Sequence, residues 1–195
     1  MRTESFLKTL KNLKIIYLNK SKMTEEQSGV KRPTGLWVLF VLTSISTSLG
    51  ILQSFTNILS GAPNASQIKK MKLEMAKSMK AAKELDSSFL IELIEKMEKI
   101  TASTIENFVF FNSISLVFYA LGLAAAIYMF RGLKIGFHMY IIYSFLTLIQ
   151  YYFIINPSDV PIMLLVANGM VSLLFIFLYS RYLNWMQPTS SDLED

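Results

Sequence analysis

Charge along this chain is gathered into blocks instead of alternating with a helical period. Residues 33–68, 107–130, 135–158 and 160–180 hold no Lys, Arg, Asp or Glu. A soluble helix of a globular domain repeats charge on its solvent face every 3.6 residues. An uncharged run of about 20 residues is what a helix needs to cross roughly 30 Å of hydrocarbon. The pattern predicts an all-α integral membrane protein with four transmembrane helices, at 33–60, 107–130, 135–155 and 162–182. Between the first two lies a charged insert, 61–106, with a different period. Ile68, Met71, Met75, Met79, Ala82 and Leu85 recur at three- and four-residue steps, opposite Lys69, Lys70, Lys77, Lys80 and Lys83. After Asp86-Ser87-Ser88 a second stripe follows through Leu90, Leu93, Ile94, Met97 and Ile100. Asn64 with Gln67, and Ser87 or Ser88, are placed to start these helices. The insert therefore reads as an extramembrane amphipathic helical hairpin, with a basic first helix and a more acidic second. Two geometries stay open for it. Residues 88–130 form one long helix projecting from the bilayer, or a kink near 101–107 lays the pair on the membrane.

Composition agrees with the pattern. Apolar residues make up 52% of the 195 residues, and no cysteine is present, which removes disulfides and thiolate chemistry. The net charge of +5 comes from cations that flank the apolar runs, so orientation and lipid headgroups explain it without nucleic acid. The tail 1–32 carries eight Lys or Arg against three Glu, and the 131–134 turn has Arg131 and Lys134. The 156–160 turn has no cation. Cation-rich short loops stay in the cytoplasm, so both termini are expected there, including the acidic tail 186–195, with 61–106 exterior or periplasmic. Residues 5–18 have the spacing of a short basic surface helix. Met23-Thr24-Glu25-Glu26 equally resembles an ordinary protein start, and residues 1–22 carry no functional assignment.

Candidate chemistry is sparse. The single histidine, His138, has no acidic neighbour in sequence and suits a membrane interface. No phosphate loop, dinucleotide fingerprint, nucleophile elbow or zinc-protease motif occurs. Catalytic, cofactor-binding and metal-ligating residues are accordingly none. Asn112, Gln150 and Asn168 are the intramembrane polar candidates, either for interhelical hydrogen bonds or for a small polar substrate. In the first span, Ser46, Gly50 and Ser54 repeat every four residues and predict a close-packing face; a polar conduit lining is the alternative. Leu90, Leu93, Ile94 and Met97 form a candidate partner face. The lipid bilayer is the expected partner, with a second copy or another membrane protein over that face. Pro33-Thr34-Gly35-Leu36-Trp37 and Arg131-Gly132-Leu133-Lys134-Ile135-Gly136-Phe137, with the four-span layout, resemble small uncharacterised bacterial four-span membrane proteins. The resemblance implies a bacterial inner-membrane location and no assigned activity. Two functions follow as expectations: a non-enzymatic interaction protein using the exterior hairpin, or a small-solute transporter or channel formed by oligomerisation.

Overall fold

A computed structural model describes residues 32–186; the 5–18 helix and the tail 187–195 lie outside them. The chain divides into two units, Met1–Thr34 and Gly35–Asp195, and the second carries the fold. Its helices are α1 (Thr34–Ser60), α2 (Ala65–Glu84), α3 (Ser88–Glu106), α4 (Phe108–Phe130), α5 (Ile135–Ile149) and α6 (Ile162–Ser180), with no strand among the described residues. Three of these, α1, α4 and α6, are long and apolar enough to cross a membrane, with mean hydropathies of 1.9, 1.9 and 2.3. The fourth apolar run behaves differently. α5 stops after 15 residues, and the backbone tightens into a 3-10 helix at Gln150–Phe153 before Asn156 and Pro157 turn the chain. Proline cannot continue a helix and restricts the residue before it.

Burial runs opposite to that of a water-soluble domain. On α1 the inward stripe is Leu36, Leu39, Thr43, Thr47 and Ser54. Thr47 is 1% exposed while Leu49, two residues on, is 60% exposed. Asn112, Ser115, Ser144 and Gln150 are likewise buried, and α6 shows Leu173 and Phe177 outward. Large apolar side chains facing out around an interior that buries several polar ones are stable only where the surroundings are themselves apolar, because exposing that much hydrocarbon to water costs roughly 25 cal/mol per Å².

Two modes of packing hold the helices. α4 and α5 approach along their length, joined by the turn at Arg131–Lys134. α4 ends there because Gly132 takes a left-handed φ of 79°, which lets Leu133 N–H reach the carbonyl of Tyr128. Gly136 then lies so close to α4 that a Cβ on it would sit 2.5 Å from the Met129 backbone nitrogen and 2.7 Å from the Ala125 carbonyl oxygen. α1 is held differently. It makes no extended close backbone approach to another helix. Phe40 stacks on Phe130 at 4.2 Å, Thr43 Oγ1 lies 2.9 Å from the Tyr179 hydroxyl, and Asn57 donates to Asn112 at 2.9 Å. The expectation of a close-packing face at Ser46, Gly50 and Ser54 is corrected accordingly. Gly50 faces the ring of Tyr119, Ser54 is buried and Ser46 is exposed. The small residue accommodates an aromatic spacer, not a neighbouring backbone.

α2 and α3 pack against each other. Asn64 and Gln67 form a reciprocal capping box at the start of α2, and Ser87 caps α3. Asp86, at φ 48°, makes the left-handed turn between them. The long helix expected over 88–130 is interrupted at one residue, Asn107, whose φ of −103° and ψ of 31° lie outside the α region. α3 runs along the connection between α5 and α6 rather than standing free: Leu93 shares a small cleft with Pro161 and Ile162, and Lys99 pairs with Asp159 at 2.5 Å. The Asp159 carboxylate hydrogen-bonds the ammonium and raises the Lys99 pKa above 10.5. A raised basic pKa means that this tie is fully present below pH 10.5 and lost as pH rises through the higher folded value. Both groups meet solvent, so the effect is small. Asp159→Asn is expected to speed amide exchange in the second half of α3 at neutral pH by less than about ten-fold. Unchanged exchange there would show that the ion pair does not hold α3 down.

Candidate intramembrane site

The polar residues inside the bundle do not scatter. Tyr140, Tyr143, Ser144, Thr147, Gln150 and Tyr151 recur at three- and four-residue spacing, which places them on one face of α5 and its 3-10 extension. That face lines a cavity of about 320 Å³. α1 contributes Leu42, Thr43, Ser46 and Thr47; α4 contributes Tyr119; α6 contributes Asn168, Val171, Ser172 and Phe175. From Tyr140 to Gln150 the cavity follows α5 for about 15 Å at 1.5 Å per residue. Aspartate, glutamate, lysine, arginine and histidine are absent from this lining. The site offers hydroxyls, two amides and aromatic rings, and so hydrogen bonds without charge.

One end of the cavity is shut. At the level of the 131–134 turn, Leu36, Leu39, Ala125, Met129, Phe137, Tyr140 and Tyr179 form the buried apolar core, and the Thr43–Tyr179 hydrogen bond ties α1 to α6 above it. Tyr140 and Tyr179 pack with ring centroids 5.0 Å apart. At the other end Gln150 is buried, 9% exposed, and its Oε1 has no hydrogen-bond partner. The Gln150 side chain hydrogen-bonds that of Tyr151, and Oε1 itself is enclosed by protein atoms, so this amide is part of the cavity wall.

The three intramembrane candidates part company here. Gln150 and Asn168 line the same cavity from α5 and α6. Asn112 does not. Its amide accepts from Asn57 and donates to the Phe108 carbonyl at 2.8 Å, which satisfies it as a clamp between α1 and α4. The tyrosines and Thr147 stand outside those three, although their three- and four-residue spacing marks a polar stripe along the apolar run of α5. His138 is exposed, with Nδ1 3.2 Å from the Lys134 carbonyl. Among the described residues no group of His, Cys, Asp or Glu could hold a metal ion.

The partner-face candidates are divided as well. Ile94 and Met97 border a cleft of about 290 Å³ with Met71 and Met75 of α2. Leu93 turns toward Pro161, Ile162 and Met163, and Leu90 is half-buried. The stripe is thus partly covered from within the chain: Leu90, Leu93 and Ile94 are half-buried and Met97 is exposed. No protein-family model, curated protein or solved structure matches this sequence.

Proposed function

We propose that this chain is a four-span membrane protein that binds an uncharged, hydrogen-bonding molecule in the cavity within its own bundle. The observation that carries this reading is the convergence of polar side chains from α1, α4, α5 and α6 on one neutral cavity. Cavities of about 300 Å³ with a few converging polar groups are the size of small-ligand sites. The fourth span is α5 with its 3-10 extension. Fifteen α-helical and four 3-10 residues rise together about 30 Å, the thickness of a bilayer core. Because the cavity is built by one chain and its lower end is shut by the aromatic core, the reading is of a binding protein or carrier, not an open pore assembled from several copies. The absence of charge in the lining favours binding over acid–base catalysis. The proposed location is a bacterial inner membrane, with the termini cytoplasmic and 61–106 outside, on the sequence resemblance and the loop cations.

The chain has no native cysteine, so single cysteines report access directly. Thr147→Cys is expected to react with a small uncharged thiosulfonate and to resist a quaternary-ammonium one of similar size. Asn156→Cys, exposed in the turn after α5, should react with both when they are added outside intact cells, and Ala125→Cys, buried in the core, with neither. An unreactive Thr147→Cys beside a reactive Asn156→Cys would sink the binding reading. Protection of Asn156→Cys until the cells are opened would invert the orientation.

A second reading, the hairpin as a docking surface, is favoured by the apolar side chains that α2 and α3 leave outward: Leu73, Leu85 and Phe89 are 57%, 70% and 54% exposed. They fit contact with lipid or with a membrane partner.

A further inference from the structure

We infer that the cavity takes its ligand sideways from the bilayer, and that the ligand is an uncharged lipid whose head carries a hydroxyl or amide N–H. This rests on the binding reading above and adds the entry route and the chemical class. The rim supplies the first argument. Leu42 and Val171 line the cavity and are also 50% and 57% exposed, and Ser46 and Asn168 are exposed beside them. All four lie in the middle stretches of α1 and α6, the depth at which these helices would meet hydrocarbon. α1 and α6 are tied at Thr43–Tyr179 and make no extended close approach beyond it. The mouth is therefore a gap between two helices facing acyl chains, with polar groups behind it.

The lining supplies the second argument. A phosphate, carboxylate or ammonium head would enter a low-dielectric site with no opposite charge among the side chains that line it, and its desolvation would go uncompensated. A hydroxyl or amide carries no such penalty. The third argument is the hydrogen-bonding character of the wall. Tyr, Thr and Ser hydroxyls and the Asn168 amide line the cavity and can donate or accept as a head group requires. A hydroxyl or amide N–H finds partners of either kind there. The lipid's chain would leave through the mouth past Leu42, Val171 and Phe175.

The test uses the whole protein in phosphatidylcholine nanodiscs doped with hexadecanol carrying a diazirine near its hydroxyl. After irradiation, adducts are mapped by mass spectrometry. Saturable labelling is expected on residues 144–151 and on the facing parts of α1 and α6. Asn168→Leu, close in shape but without the amide at the cavity rim, should lower that labelling roughly three- to ten-fold, the worth of one hydrogen bond, while leaving thermal stability equal or higher. Ser46→Trp, at an exposed position, should block the mouth and lower labelling similarly without unfolding the protein. Labelling spread evenly over the outer surface and indifferent to Asn168→Leu and Ser46→Trp would mean annular lipid only and would overturn the proposal. So would equal cavity labelling by the matching diazirine palmitate, ionised at pH 8. If Thr147→Cys reacts with the uncharged thiosulfonate but hexadecanol does not label the cavity, the lateral lipid route fails while the binding reading stands. If neither occurs, both fail.

Discussion

Gly136→Leu is expected to lower the midpoint of thermal unfolding in detergent by about 10 °C and to spoil the single peak in size exclusion. The new Cβ would meet the Met129 nitrogen and the Ala125 carbonyl oxygen of α4, both backbone atoms inside a helix. Neither can rotate away, so α5 as a whole must shift from α4. Overpacking a well-filled interface costs typically 1–3 kcal/mol, and here the obstacle is a backbone that also carries the longest helix–helix interface of the bundle. For a chain of this size about 3 kcal/mol corresponds to roughly 6–12 °C. Met129 Cγ would also lie 2.9 Å away, so Met129→Ala should relieve part of the clash, but the two backbone contacts remain and the double variant should stay well below the unchanged chain in stability. Wild-type-like melting of Gly136→Leu would mean that α4 and α5 do not approach as closely as described.

Gly50→Leu is expected to destabilise by about 1–3 kcal/mol through a different obstacle. Its Cβ would lie 2.7 Å from Cγ of Tyr119, at the root of the ring, where rotation of the side chain gives little room. Because that obstacle is a side chain, Tyr119→Ala should relieve it. The double variant is expected to be more stable than the sum of the two single changes by over about 1 kcal/mol. Strict additivity would place some other group against Gly50. The same experiment reads the cavity, because Tyr119 is part of its wall. In the double variant, uncharged thiosulfonate should reach Thr147→Cys at least as fast as in the otherwise unchanged chain.

These two glycines show how differently readable the molecule is from its residues. Gly50 falls in a four-residue repeat with Ser46 and Ser54, the usual mark of two helices in close contact. In the fold the three residues face three environments: the cavity mouth, a tyrosine ring and a buried seam. A period of four on a helix fixes which residues share a side, but not what stands opposite. Gly136 carried no such mark, yet it makes the tightest backbone approach. Asn112 and Gln150 were equivalent as isolated amides in apolar runs. One found Asn57 across the interface, and the other bonds Tyr151 in the wall of the cavity. The same holds for Leu90, Leu93, Ile94 and Met97, whose periodicity required cover without saying that α2 and the α5–α6 connection would supply part of it.

What the sequence determined by itself was set by solvent and local geometry. Long uncharged runs require an apolar surrounding, caps such as Asn64 and Ser87 start helices, and Gly132 and Pro157 end them, because each of these acts over one or two turns of chain. Only the tertiary structure decided that α1 is spaced from its neighbours by aromatic rings and small polar ties. Only there does the polar stripe of α5 meet Thr43, Thr47 and Asn168 around one cavity. Those outcomes depend on which side chains come to face one another across more than a hundred residues, as Thr43 and Tyr179 do. No local pattern encodes such pairings, since the bilayer drives helices together far less selectively than packing and hydrogen bonding then sort them.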